Sequence, residues 1–131
     1  METQELNTHL KFNKKFGQLI EIGEESAKVR LEATEDMAVD EEGLIHGGFT
    51  FGAADFCAMA TVNDPFVVLV RSQCEFMAPV KVGDVVEFVS EVIMKEKRKE
   101  EIKVVGTINE IKVFEGIFSC VKLDKHVLKK K

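Results

Sequence analysis

The stretch from Gly43 to Asn63, GLIHGGFTFGAADFCAMATVN, decides the fold of this chain. It begins as a glycine-rich loop and continues from Phe49 to Val62 as an apolar run of helix length, with Asp55 as its one charged residue. A helix that is apolar on all sides is a buried helix, so the pattern predicts one central helix wrapped by a sheet. An ionised carboxylate inside such a helix is costly unless something compensates for its burial. Asp55 is therefore the first candidate for a functional residue.

Length and composition narrow the possible classes. The chain has 131 residues, and we expect a single domain over 1–131. Its 18 Lys and Arg against 23 Asp and Glu give a formal net charge of −5, which argues against nucleic-acid binding. No apolar run reaches the roughly 18 residues of a membrane span, and no export signal is visible, so we expect no membrane partner and a cytoplasmic location. The three cysteines lack metal or redox spacing, which indicates reduced thiols and no metal site.

Strand-length apolar runs lie on both sides of the central helix. The predicted strands are 16–22, 27–33, 66–77, 85–94, 102–110 and 111–123. The first residues, Thr3 to Phe12, favour a short helix, and the charged run 95–101 predicts a hairpin tip. Mainly antiparallel strands around one helix are typical of an α+β fold.

The glycines at the start of the helix suggest a chemical role. Helix N-termini present unpaired N–H groups, so the amide of Gly47 can polarise a carbonyl as an oxyanion hole does, while Asp55 acts as nucleophile or general base. The two residues are eight positions apart, or roughly 12 Å along one helix. Both groups must lie within about 3 to 4 Å of one reacting carbonyl or its attacking water. One chain cannot easily supply both, so we predict a homodimer with two shared sites.

Three features together resemble a known family. Asp40, His46–Gly48 and Asp55 are similar to the pattern of the hotdog-fold acyl-CoA thioesterases of the phenylacetate-pathway (PaaI) type. In that pattern an Asn precedes His-Gly-Gly by six residues, and an Asp follows the His by nine. Residues 76–84, FMAPVKVGD, also resemble the family's strand end with its Pro and Gly-Asp turn. The resemblance covers about 31–123.

The resemblance implies a hotdog fold, in which an antiparallel sheet wraps one long helix, and dimers that often pair again into tetramers. It implies an acyl-CoA thioesterase for small-to-medium or aromatic acyl groups, with no cofactor other than the CoA of the substrate. The acyl chain would lie between subunits and the CoA nucleotide at the surface. Strand residues Ser72 and Gln73 are included as candidates for the site, although spacing alone does not place them. The candidate site residues are, for catalysis, Asp55, Gly47, His46 and Asp40, and, for substrate binding, Gly48, Ser72 and Gln73.

One departure from the family pattern leaves other functions open. The usual Asn is Asp40 here, and an ionised Asp only accepts hydrogen bonds and opposes an anionic transition state. This favours the alternative of a non-catalytic acyl-CoA-binding or regulatory hotdog protein, and a dehydratase of the same fold is a further alternative. Structural roles also stay open: a buried, hydrogen-bonded Asp55, a tight helix entry at the glycines, a loop-orienting His46 and a solvated Asp40.

Overall fold

One antiparallel sheet wraps one long helix, as the sequence predicts. The computed structural model of the chain describes residues 4–129. The strands and the long helix are β1 (Gln18–Gly23), β2 (Ser26–Glu32), α1 (Gly47–Val62), β3 (Val67–Phe76), β4 (Val85–Glu96), β5 (Lys99–Ile108) and β6 (Ile111–Lys122), with short 3-10 helices at Lys14–Phe16 and Glu35–Met37. Their order across the sheet is β1-β2-β4-β5-β6-β3. Among residues 4–129, no helix is both long enough and apolar enough to cross a membrane.

The core lies between α1 and the concave face of the sheet. The largest fully buried side chains include Phe88, Phe114 and Phe118, one from β4 and two from β6. Phe51 of the helix packs on Phe118 with ring centroids 5.5 Å apart. Gly106 of β5 leaves room for this packing, because a Cβ there would lie 2.8 Å from the ring of Phe88. The side chains of the helix and the rings of the sheet therefore pack closely, with a glycine in the sheet where a larger residue would clash with a ring.

The N-terminal segment differs from its prediction. The helix expected from Thr3 to Phe12 is absent from its described residues, and Thr3 lies outside them. Instead, the side-chain oxygen of Asn63 accepts the Asn7 N–H at 2.7 Å, and Phe12 stacks on Phe56 of α1 with centroids 4.4 Å apart. These tertiary contacts outweigh the weak local helix propensity. The segment thus covers a side of α1 that the sheet leaves open.

The predicted hairpin tip at 95–101 is shorter in the structure. Only Lys97 and Arg98 lie outside β4 and β5, and the other charged residues belong to the strands. Glu100 is 4% exposed and forms an ion pair with Lys122 on β6 at 3.0 Å. The cross-strand partner explains why a charged run continues the sheet rather than ending it.

Strand β3 is an edge of the sheet. It pairs with β6 on one side, and no strand from the described residues pairs with its other side. Its side chains at Val70 and Phe76 are 57% and 55% exposed. A long edge strand with unpaired backbone groups is a template for pairing with another chain.

Candidate active site

The loop that leads into α1 is a small hairpin. Ala38 and Ile45 form an antiparallel bridge, and Asp40 lies at the tip. One carboxylate oxygen of Asp40, Oδ1, accepts the N–H groups of Glu42 at 3.0 Å and Leu44 at 3.1 Å. This side chain therefore holds its own turn together, as Asp and Asn commonly do, and the structure does not bring it to Asp55.

His46 is the N-cap of α1. Its Nδ1 accepts the Gly48 N–H at 2.7 Å, and its backbone is extended, as is usual for an N-cap. Since Nδ1 is the acceptor, the neutral ring carries its proton on Nε2. The Gly48 amide is occupied by this bond, and a Cβ at position 48 would lie 2.8 Å from Nδ1. The placement gives His46 and Gly48 a structural role in starting the helix.

The amide of Gly47 has no such partner. Its N–H makes no hydrogen bond to the residues that the structure describes. It is the first residue of α1, where the helix dipole favours partial negative charge. The ring of Phe76 lies 3.5 Å from the position of a Cβ on Gly47, and an apolar cavity of about 170 Å³ opens beside them. A carbonyl oxygen can approach this N–H while the apolar group attached to it enters the cavity.

Asp55 lies on the same face of α1 as Gly48 and Gly52, because residues three and four apart share a helix face. This face is less buried than the rest of the helix, and a Cβ at Gly52 would have no neighbour within 4 Å. The Oδ1 atom of Asp55 is nonetheless buried and has no hydrogen-bond partner among residues 4–129. Burial raises the pKa of this carboxyl to about 6. A buried acid with an unpartnered oxygen and a shifted pKa is typical of functional sites.

Ser72 and Gln73 lie on opposite faces of β3, since successive strand residues alternate. Cys74 lies on the helix side of the strand. Burial raises the pKa of its thiol, a hydrogen bond with Ser72 lowers it, and the charge of Asp55 raises it, so the thiol is near both residues. Ser72, two residues earlier, shares this side. Gln73 instead lines a cavity on the outer face of the sheet together with Arg71. Within one chain, Ser72 therefore lies on the side of Asp55 and Gln73 does not.

The structure does not bring the two main candidate residues together within one chain. Gly47 and Asp55 are roughly 12 Å apart along α1. Phe76, which covers Gly47, was not among the candidates from sequence, because an apolar residue at the end of a strand does not stand out. No group of three metal-ligating side chains comes together in the described part of the chain.

Comparison with known proteins adds a family and a fold. A family model described as the thioesterase superfamily matches residues 42–111, more than half of the chain. An uncharacterized protein from Pyrococcus horikoshii superposes with a TM-score of 0.97 at 43% identity, over 98% of this chain and 100% of that one. A sigma28-regulated virulence protein from Campylobacter jejuni superposes with a TM-score of 0.92 at 41% identity, over 95% of this chain and 89% of that one.

More distant structures share the fold. They include a mutant of the phenylacetic acid degradation protein PaaI from Thermus thermophilus, with a TM-score of 0.73 at 21% identity over 82% of this chain and 93% of that one. A hypothetical thioesterase protein with coenzyme A from Streptococcus pneumoniae has a TM-score of 0.75 at 17% identity over 84% of this chain and 88% of that one. The predicted hotdog fold and thioesterase family are confirmed.

The curated relatives are longer proteins. Methylthioribose-1-phosphate isomerase from Aquifex aeolicus is 40% identical over 120 residues, which are 91% of this chain and 26% of that protein. Transcription factor FapR from Caldanaerobacter subterraneus is 30% identical over 117 residues, which are 88% of this chain and 58% of that protein. The chain thus spans about a quarter and somewhat over half of their lengths, respectively.

Proposed function

The chain belongs to the thioesterase superfamily, and we propose that it hydrolyses acyl-CoA thioesters at a site shared by two copies of the chain. In this proposal the Gly47 N–H of one copy donates to the thioester carbonyl, and Asp55 of the partner subunit activates the attacking water. The observation that carries the proposal is the buried, unpartnered Oδ1 of Asp55. A buried acceptor without a donor is rare in folded proteins, so this carboxyl is positioned for something other than the fold's own hydrogen bonding.

The acidity of Asp55 suits this task. A carboxyl with a pKa of about 6 is ionised at neutral pH and is a better base than an ordinary aspartate. The water loses its proton to Asp55 as its oxygen bonds to the thioester carbon, and the resulting oxyanion accepts the Gly47 N–H. The C–S bond then breaks, the thiolate of CoA takes up the proton that Asp55 had accepted, and the carboxylic acid leaves with Asp55 ionised again. Direct attack by the carboxylate, through an anhydride, would use the same arrangement.

Three features support a site shared between two copies. The roughly 12 Å between Gly47 and Asp55 along α1 is too long for one reacting carbonyl. The helix face that carries Gly48, Gly52 and Asp55 is less buried than the others, so a second helix has room to approach it. Strand β3, which lies beside Asp55, has a free edge for pairing across a two-fold axis. Antiparallel helices related by that axis would bring each Gly47 toward the other Asp55.

The volume of the cavity beside Gly47 limits the size of the acyl group that can bind there. Its volume is about 170 Å³, and its walls include Leu44, Ile45, Phe76 and Val113. An apolar cavity of about 150 Å³ in another protein holds one benzene molecule. We therefore propose an acyl group of this size, either a short aliphatic chain or a single aromatic ring.

A mixing experiment tests the shared site. Asp55→Asn removes the base, and Gly47→Pro removes the N–H while keeping a residue favoured at the first position of a helix. The extended backbone of His46, with ψ at 132°, is compatible with a following proline. Each variant alone should lose at least about a hundredfold in thiol release from acyl-CoA.

Coexpression of the two variants should restore about a quarter of wild-type activity. Random pairing makes about half of the dimers mixed, and each mixed dimer contains one site with both an intact Gly47 and an intact Asp55. If both groups served a site within one chain, mixing would restore nothing, and the shared site would be rejected. Sedimentation of each variant, with wild-type protein as control, shows whether dimers form.

A non-catalytic acyl-CoA-binding protein is the second candidate. The relation to FapR favours it, because that relative is named a transcription factor. The aspartate at position 40 does not distinguish the two candidates, since this side chain accepts hydrogen bonds from its own loop and an Asn would accept the same two. Acyl-CoA would then raise the melting temperature without release of free CoA.

A further inference from the structure

A larger cavity lies beyond the C-terminal end of α1, away from Gly47. Its volume is about 420 Å³, and three separate parts of the chain form it: residues 7–11, 65–68 and 126–127. The walls are mainly apolar and include Leu10, Phe66 and Val68. The proposed hydrolysis makes no use of this cavity.

The cavity wall carries a positive group, although the whole chain is negative. The net charge is −5, yet the described residues that line the cavity include the ammonium of Lys11 and the imidazoles of His9 and His126, which can donate hydrogen bonds, and no carboxylate. An apolar groove with basic groups at its margin is complementary to an anion that carries an apolar tail.

Both imidazoles are held in defined orientations. Nδ1 of His126 accepts the Leu128 N–H at 3.0 Å, so its neutral ring keeps a proton on Nε2 for donation. Nδ1 of His9 lies 2.8 Å from Oγ1 of Thr8, a residue that is 5% exposed. The backbone of His9 has a φ of +54°, in the left-handed region that side chains adopt only at some energetic cost. Such fixed groups reduce the entropy lost when a ligand binds.

We propose that this cavity binds an unbranched aliphatic carboxylate, with the carboxylate at Lys11 and His126 and the tail along the apolar wall. At about 30 Å³ per non-hydrogen atom, the volume that a water molecule occupies in the liquid, the cavity admits about 14 such atoms. A carboxylate of about eight to ten carbons fills most of this space. The proposal is independent of thioester hydrolysis.

The three histidines of the chain provide the test. His9 and His126 line the cavity, whereas His46 caps the other end of α1 and reports on the proposed active site. In the intact chain, titration with decanoate should move the imidazole Cε1–H NMR signals of His9 and His126 saturably and leave that of His46 in place.

Ligand analogues and variants complete the experiment. Decanol and acetate should bind at least about tenfold more weakly, because each lacks one half of the recognised chemistry. Lys11→Met keeps the aliphatic stem and should weaken decanoate about tenfold. Leu10→Trp, at a side chain that is 72% exposed, should obstruct the groove. Lys28→Met, on β2 and outside this cavity, is the matched control and should change nothing.

The opposite results would overturn the proposal. Decanol binding as tightly as decanoate, unaltered affinity in Lys11→Met, or shifts confined to His46 would each exclude a carboxylate site here. Decyl phosphate binding tenfold more tightly than decanoate would reassign the head group to a phosphate and so contradict the carboxylate. Thiol release by Leu10→Trp and Lys11→Met should equal that of wild type, so that failure here is distinguishable from failure of the proposed hydrolysis.

Discussion

Replacing Asp55 by Asn should make the protein more stable above pH 6. Burial raises the pKa of this carboxyl from 3.8 to about 6. One pKa unit corresponds to about 1.4 kcal/mol, so the ionised side chain costs the folded state about 3 kcal/mol at pH 8. The folded protein binds this proton more tightly than the unfolded chain does, so stability declines as the pH rises from about 4 to 6 and changes no further above that range. A neutral Asn avoids this loss.

The assay is urea unfolding at one protein concentration, at pH 4.5, 6 and 8. Asp55→Asn should increase the free energy of unfolding by about 2 to 3 kcal/mol at pH 8 and by about 1 kcal/mol at pH 4.5, with an unchanged m-value. Asp40→Asn is the matched control, because its amide oxygen can accept the same two backbone N–H groups. It should change stability by less than about 0.5 kcal/mol at each pH. An Asp55→Asn variant that gains nothing at pH 8, or gains equally at all three values, would show that this burial penalty does not exist.

Two further predictions concern the pH dependence of the reaction rate and the stability of the first turn of α1. Thiol release by the wild type should rise through about pH 6 as Asp55 loses its proton, and a flat profile from pH 5 to 8 in stopped assays would exclude this carboxyl as the base. Gly48→Ala should destabilise the protein by about 1 kcal/mol in thermal unfolding, because its Cβ would meet the capping imidazole at 2.8 Å. Gly47→Ala, whose Cβ would lie 3.5 Å from the nearest ring, is its control and should unfold close to wild type.

The sequence predicts the central part of the fold well, because one signal dominates there. An apolar run of helix length between alternating strands has few alternatives, and α1 begins two residues before its predicted start. The N-terminal segment could not be predicted, since its path depends on the contacts of Phe12 and Asn63 with distant residues. The separation of Ser72 from Gln73 follows from strand alternation and was available from sequence.

The candidate site, like the fold, has features that the sequence predicts and features that it does not. The burial of Asp55 follows from its neighbours in sequence, whereas the occupied amide of Gly48 and the free amide of Gly47 depend on the rotamer of the capping His46. The role of Asp40 depends on a turn only four residues long, which a family pattern of spacing does not reveal. The larger cavity combines three segments that are distant in sequence, so no local pattern marks it.

A comparison of two buried acids argues against a purely structural Asp55. Glu100 is almost fully buried, and Lys122 neutralises it at 3.0 Å, as expected for a carboxylate that stabilises a fold. Asp55 is less buried, yet its Oδ1 has neither a cation nor a donor among residues 4–129. A fold that can pair one acid so closely has no structural need to leave another unpaired in its central helix. The compensation for Asp55 is therefore not found among residues 4–129, and in the proposed shared site a water molecule held between two subunits beside a thioester would supply it.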